Sequence, residues 1–145
     1  MRVLFDSNVL VAFLVKDHID HTRALNAFLE YRNKDAELVI GTHSIAEVYR
    51  TLTWGVRYLN YTPQEAHFII TNSILPVFKC INLVEEDYQI ALAFLNEDNL
   101  SGAIIYDALI ACASEKAKVD SLVTFNIKDF KRVQPLTSAS LIKPY

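Results

Sequence analysis

Glycine and proline are scarce, three and four in 145 residues, which argues against long disordered linkers. No apolar run approaches the roughly 20 residues that a membrane-spanning helix needs, so no membrane segment is expected. There is also no surplus of positive charge. Lys and Arg number 14 against 17 Asp and Glu, a net charge of −3. Such a balance is a poor footprint for gripping nucleic acid by bulk electrostatics. Any nucleic-acid role must then rest on a local basic patch, on metal ions, or on both.

Only two cysteines occur, Cys80 and Cys112, each in an apolar segment without CxxC spacing. They are expected as reduced core residues, not as a disulfide. The four histidines, His18, His21, His43 and His67, form no zinc pattern. His18 and His21 lie in a polar stretch that reads as a solvated loop. The opening residues reach the carboxylate of Asp6 too soon for a secretory signal, so the expected compartment is the cytoplasm.

What the chain has in quantity is apolar side chain, 52% of its residues. A chain of this length can bury a core without staples, and one domain over residues 1–145 is expected. Residues 3–5 read as a buried strand ending at Asp6. Asn8 is a candidate cap for a helix over 9–15, and residues 22–31 continue as helix. Residues 38–40 read as a strand closed by Gly41, and 44–58 as a helix from the spacing of Ile45, Val48, Leu52 and Val56. Thr62, Pro63 and Glu65 spell a helix start with a capping box, the helix running to Ile74. Strands over 77–83 and 121–125 and helices over 85–96, 103–118 and 127–132 complete the pattern. Strands alternating with helices imply an α/β fold with a parallel sheet covered on both faces. Ligands gather at the carboxyl ends of such strands, where Asp6 and the Asn126 region fall.

Asp107 is the most informative residue. Its neighbours one helical turn away, Ala103, Ile104, Ile110 and Ala111, are all apolar, and no Lys or Arg can pair with it locally. A carboxylate on a largely buried helix is costly unless its charge is compensated, which points to a metal ligand; a long-range salt bridge or an exposed polar stripe is the alternative. Asp6 closes an apolar strand, where Asp is also a common turn residue or helix cap. Ser7 and Asn8 beside it have the same two readings. Glu47 reads as a ligand only in the company of the other two; alone it would be a surface pair with Arg50. Thr124, Asn126 and Asp129 follow the last strand, where Asn126 is equally a helix cap and Asp129 the partner that closes its box.

Oxygen-bearing side chains from separate segments, without His or Cys at ligand spacing, suit Mg²⁺ or Mn²⁺. Carboxylate-bound Mg²⁺ can activate water at a phosphorus centre. Local basic help is available from Arg50, Arg57, Lys128, Lys131 and Arg132, although single surface charges are usually only solvated.

Four segments together resemble one family. Val3-Leu4-Phe5-Asp6-Ser7-Asn8 is similar to the opening of PIN-domain ribonucleases, and Ser44-Ile45-Ala46-Glu47-Val48 to their central acidic helix. Ile105-Tyr106-Asp107-Ala108-Leu109 is similar to the third acidic motif, and the stretch from Leu122 through Asn126 and Asp129 to the closing one. The resemblance spans nearly the whole chain, in order, and at this size is nearest to VapC toxins of toxin–antitoxin pairs. It implies a three-layer α/β/α sandwich with a central parallel sheet, Mg²⁺ or Mn²⁺, and endonucleolytic cleavage of RNA. It further implies a homodimer held inactive by a small antitoxin. By analogy Asp6, Glu47 and Asp107 hold metal, and Asp129 or Asn126 completes the site. Many relatives carry Asp where this chain has Asn126, which brings no charge to a second metal.

Two other readings compete. A phosphatase of the haloacid-dehalogenase type also begins with a strand and Asp, but needs a second Asp two residues on, and position 8 is Asn. A receiver-type domain would need paired early acids, which are absent. A catalytically silent PIN-like domain that only binds a partner is the non-enzymatic alternative.

Overall fold

Val3, Leu4 and Phe5 are all buried, because β1 (Arg2–Phe5) runs through the middle of the sheet. Successive side chains of a strand point to opposite faces. Val3 and Phe5 therefore join one core while Leu4 joins the other. The same division is repeated in β2 (Glu37–Gly41), where Leu38 and Ile40 oppose Val39, and in β4 (Ser121–Val123), where Val123 opposes Leu122. Strands β3 (Lys79–Ile81) and β5 (Ser140–Ile142) form the edges. All pairings are parallel, in the order β3-β2-β1-β4-β5. This computed structural model describes residues 1–145.

One face of the sheet is covered by α1 (Ser7–Leu14), α2 (His21–Asn33), α3 (Thr42–Leu52) and α4 (Pro63–Ile69), the last continuing through a π-helical turn, Ile70–Ile74. The other is covered by α5 (Glu85–Glu97), α6 (Ile104–Lys116) and α7 (Ile127–Val133). The result is the three-layer α/β/α sandwich with a central parallel sheet that the sequence implies. No helix is long and apolar enough to cross a membrane.

The chain leaves β1 toward β2 and β3 on one side, then crosses over to β4 and β5 on the other. The direction of winding thus reverses between β1 and β4. At such a reversal the connecting loops diverge and leave a crevice at the strands' carboxyl ends. Asp6 and Thr124 are the residues that immediately follow β1 and β4.

Several sequence expectations change in detail. The capping box at Thr62 forms, with Glu65 N donating to Thr62 Oγ1 at 3.1 Å and Thr62 N to Glu65 Oε2 at 2.7 Å. The helix expected over 44–58 stops at Leu52, because Gly55 and Arg57 take left-handed backbone, φ 82° and 54°. Val56 keeps helical spacing but belongs to that turn, bridged to Leu59. The strand expected over 77–83 shrinks to Lys79–Ile81, since the N–H groups of Val77 and Phe78 still bond back to Ile74 O in the turn that follows the helix. The fifth strand, Ser140–Ile142, was not expected; it is short, lies at an edge and follows a polar run. His18 lies in the loop between α1 and α2, as expected, but His21 does not. His21 opens α2 with its Nδ1 2.9 Å from Ala12 O, and His18 Nδ1 accepts from Asp20 N at 3.0 Å. Cys80 and Cys112 are free thiols, as expected, half-buried and buried respectively.

Candidate active site

Asp6 sits at the N-cap position of α1, yet its side chain makes no capping bond. Its backbone does the structural work instead: the N–H donates to Val123 O, and the carbonyl accepts from Val9 and Leu10. The carboxylate is thereby left to face the crevice. Its Oδ2 accepts from Thr124 Oγ1 at 2.7 Å and its Oδ1 from Ser7 Oγ at 3.3 Å. Burial pushes its pKa up to about 6 despite these donors.

Thr124 is fully buried and ties the two central strand ends together. Besides donating to Asp6, its hydroxyl accepts from Asn126 N at 2.9 Å and from Asn8 Nδ2 at 3.3 Å. Asn8 lies inside α1 rather than capping it, and its Oδ1 accepts from Phe125 N. Asn126 does occupy the N-cap position of α7, but no box forms with Asp129. Its amide donates instead to Asp129 Oδ2 at 2.9 Å, and Arg132 Nη1 lies 3.5 Å from Asp129 Oδ1.

Glu47 reaches the crevice from α3. It makes no ion pair with Arg50, whose guanidinium lies 5.2 Å from the centre of the Trp54 ring. Burial, then the charge of Asp6, push the Glu47 pKa up to about 7, against smaller lowering by Ser7 and Arg50. Asp107 comes from the first turn of α6, a helix buried along most of its length. Burial first, then Asp6, Asp129 and Glu47, push its pKa up to about 7, with Arg132 opposing. No salt bridge neutralises Asp6, Glu47 or Asp107; the nearest basic side chain to Glu47 is His43, Nε2 to Oε1 3.4 Å. Burial lowers the His43 pKa to about 4, so that ring is neutral and offers no compensating charge.

These groups line one open cavity of about 770 Å³. Asp6, Glu47, Asp107 and Asp129 share it with Asn8, Asn126, Arg50 and Arg132. Thr124 stands behind Asp6 and not on the wall, and Arg57 and Lys128 are exposed outside it, on the loop after α3 and on α7. His43 is the lining residue that sequence reasoning passed over. Its signal was present: it stands four residues before Glu47, on the same face of α3.

The donors test well against a hard divalent cation. They are carboxylate and amide oxygens, and Glu47 Oε1 is buried without a hydrogen-bond partner. No three His, Cys, Asp or Glu side chains stand close enough together to enclose an ion by themselves.

Comparison with known proteins agrees with this fold. The PIN domain profile matches residues 3–135. Ribonuclease VapC27 of Mycobacterium tuberculosis is 27% identical over 115 residues, covering 79% of this chain and 78% of the relative. VapBC2 from Rickettsia felis, solved with a DNA fragment from its promoter, superposes with a TM-score of 0.67 at 24% identity, covering 99% and 98% of the two chains. Mycobacterium tuberculosis VapC20, described as a sarcin-ricin loop cleaving toxin, gives 0.64 at 12% identity over 83% and 86%. With its fold, its cavity at the switch point and a profile spanning nearly its whole length, the chain belongs to the PIN domain family.

Proposed function

We propose that this chain is a metal-dependent endoribonuclease and the toxin of a toxin–antitoxin pair. One observation carries the reading: Asp6, Glu47 and Asp107, from three separated segments, meet in one cavity with no cation paired to them. Buried like charges without a counterion are costly, and such arrangements cluster at working sites. VapC27 is named a ribonuclease and VapC20 is described as a sarcin-ricin loop cleaving toxin, which supports RNA as substrate. A similar fold from Klebsiella pneumoniae was solved as a toxin–antitoxin complex, which supports an antitoxin as partner. A homodimer and a cytoplasmic location follow the same analogy.

In this reading Asp6, Glu47 and Asp107 hold Mg²⁺ or Mn²⁺, and Asp129, oriented by Asn126, completes the acidic wall. The cation, once bound, supplies activation of water and neutralisation of charge on the phosphodiester. Ser7 and Thr124 fix the two oxygens of Asp6 in place before any ligand arrives. Arg50 and Arg132 line the rim and meet the RNA phosphates. Arg57 and Lys128, farther out, extend that basic edge. Asn8 cannot serve as the acid of a phosphatase, because a carboxamide does not titrate; it instead braces Thr124 and Phe125. Opening of a circular RNA by the purified chain, with Mg²⁺ or Mn²⁺ and not with EDTA, tests the reading; an RNA left intact under every metal condition contradicts it.

Two variants probe the supporting residues. Thr124→Val removes the donor to Asp6 while keeping the shape, and metal affinity by calorimetry should fall about 10- to 100-fold. Thr124→Ser should restore it, and an unchanged affinity in the valine variant would remove Thr124 from the site. Arg50→Ala should raise KM for RNA several-fold, leave kcat nearly unchanged and lower the salt slope of binding by about one. A fall in kcat with unchanged KM would instead place Arg50 at the reacting phosphate.

A further inference from the structure

Two side chains one turn apart on α3 line the cavity with unpaired polar atoms. The His43 side chain is 9% exposed, and neither of its ring nitrogens is hydrogen-bonded. Glu47 Oε1 is also orphaned, and lies 3.4 Å from His43 Nε2. Leaving a buried polar atom unpaired costs about 1–3 kcal/mol, so three orphaned atoms at one spot need a reason.

Geometry supplies one. Two ligands each ~2.1 Å from a tetrahedral ion stand about 3.4 Å apart. Spacing of four residues on a helix is also what delivers the two histidines of H-E-x-x-H sites to one zinc. The ring is lodged against β2: a Cβ at Gly41 would lie 3.2 Å from His43 Cε1 and Nδ1. The glycine thus makes room for it.

We infer that His43 Nε2 and Glu47 Oε1 form a nitrogen–oxygen ligand pair for a transition-metal dication of the Mn²⁺ and Zn²⁺ class, and bias the site toward such ions over Mg²⁺. Imidazole is a good ligand for Zn²⁺ and a weaker one for Mn²⁺, the lowest of the transition-metal dications in affinity, whereas Mg²⁺ keeps to oxygen. The inference rests on the proposed role of Glu47 in holding a cation, and adds a ligand and a metal preference to it.

The test uses the untagged full chain, stripped with EDTA and dialysed. Mn²⁺-loaded wild type is examined by electron-spin-echo spectroscopy, with and without ¹⁵N-histidine. A nitrogen coupling that changes with the isotope is expected. In parallel, His43→Gln should weaken Mn²⁺ and Zn²⁺ binding at least ~10-fold, while Mg²⁺ affinity stays within about twofold. Bound Mn²⁺ without a histidine coupling, or equal losses for all three ions, overturns the ligand pair and leaves the acidic site standing. No binding of any dication by wild type overturns the metal reading itself. The spectroscopic arm needs no variant, so a folding defect in His43→Gln does not blunt it.

Discussion

Asp6→Asn or Asp107→Asn is expected to lower RNA cleavage about a thousandfold or more. A bound metal contributes several kcal/mol to a phosphoryl transition state, and each ~1.4 kcal/mol is worth tenfold in rate. The same variants should not destabilise the fold. Asp6 is buried with its charge uncompensated, and burial holds its pKa at about 6. An amide at that position keeps the hydrogen bond from Thr124 and carries no charge. The metal-free Asp6→Asn protein should therefore melt a few degrees above wild type at pH 8, an effect of about 1–3 kcal/mol. Loss of activity with gain of stability separates a working carboxylate from a structural one. Cleavage within tenfold of wild type in either variant would remove that residue from the site.

The metal-free protein should lose stability as pH rises from 5 to 8, and divalent metal should restore it. A carboxylate with a raised folded pKa stabilises fully below its unfolded pKa, and that contribution is lost as pH rises through the folded value. For Asp6 the window runs from 3.8 to about 6, for Glu47 from 4.5 to about 7, and for Asp107 from 3.8 to about 7. His43 works in the opposite sense. Its folded pKa of about 4 lies below 6.5, so its contribution is present above 6.5 and declines on acidification. It offsets part of the effect; three raised carboxylates outweigh one lowered imidazole. Glu30, Glu37, Asp87 and Glu115 have lowered values, so their contributions change only below the ordinary carboxylate range. A net loss of about 2 kcal/mol, or ~5 °C in Tm, is expected between pH 5 and 8. Saturating Mg²⁺ or Mn²⁺ at pH 8 should recover a similar amount, since ligand at 100 times Kd contributes about 2.7 kcal/mol. Thermal scans with EDTA and with metal measure both. A Tm higher at pH 8 than at pH 5 without metal would contradict this reading of the cavity.

The site was legible where a residue conflicts with its surroundings. Asp107 on an apolar helix and Asp6 at the end of an apolar strand break the local pattern, and both line the cavity. Glu47 did not break it, because Arg50 three residues on offered a plausible partner; that guanidinium instead lies over Trp54. His43 forms no pattern with the other histidines, and its only signal is its spacing of one helical turn from the carboxylate of Glu47. Asn126 and Asp129 sit at cap and third positions of α7, so a capping box was a fair reading, yet their side chains bond to each other. In the fold, the strands of the sheet's interior carried their own signal through continuous burial. The short edge strand Ser140–Ile142 did not, since its pairing with β4 is set by the tertiary fold rather than by its own sequence. The end of α3 was misjudged because Val56 kept the helical period past a glycine that breaks it.

The central claim is that this acidic cavity holds a dication that hydrolyses RNA internally. Analysis of the RNA ends left by the untagged chain, with EDTA or with Mg²⁺ or Mn²⁺, tests it most directly. Attack by activated water predicts linear phosphate and free hydroxyl ends, formed only with metal and absent with Asp6→Asn. Ends carrying 2′,3′-cyclic phosphate, or cleavage that persists in EDTA, would contradict it.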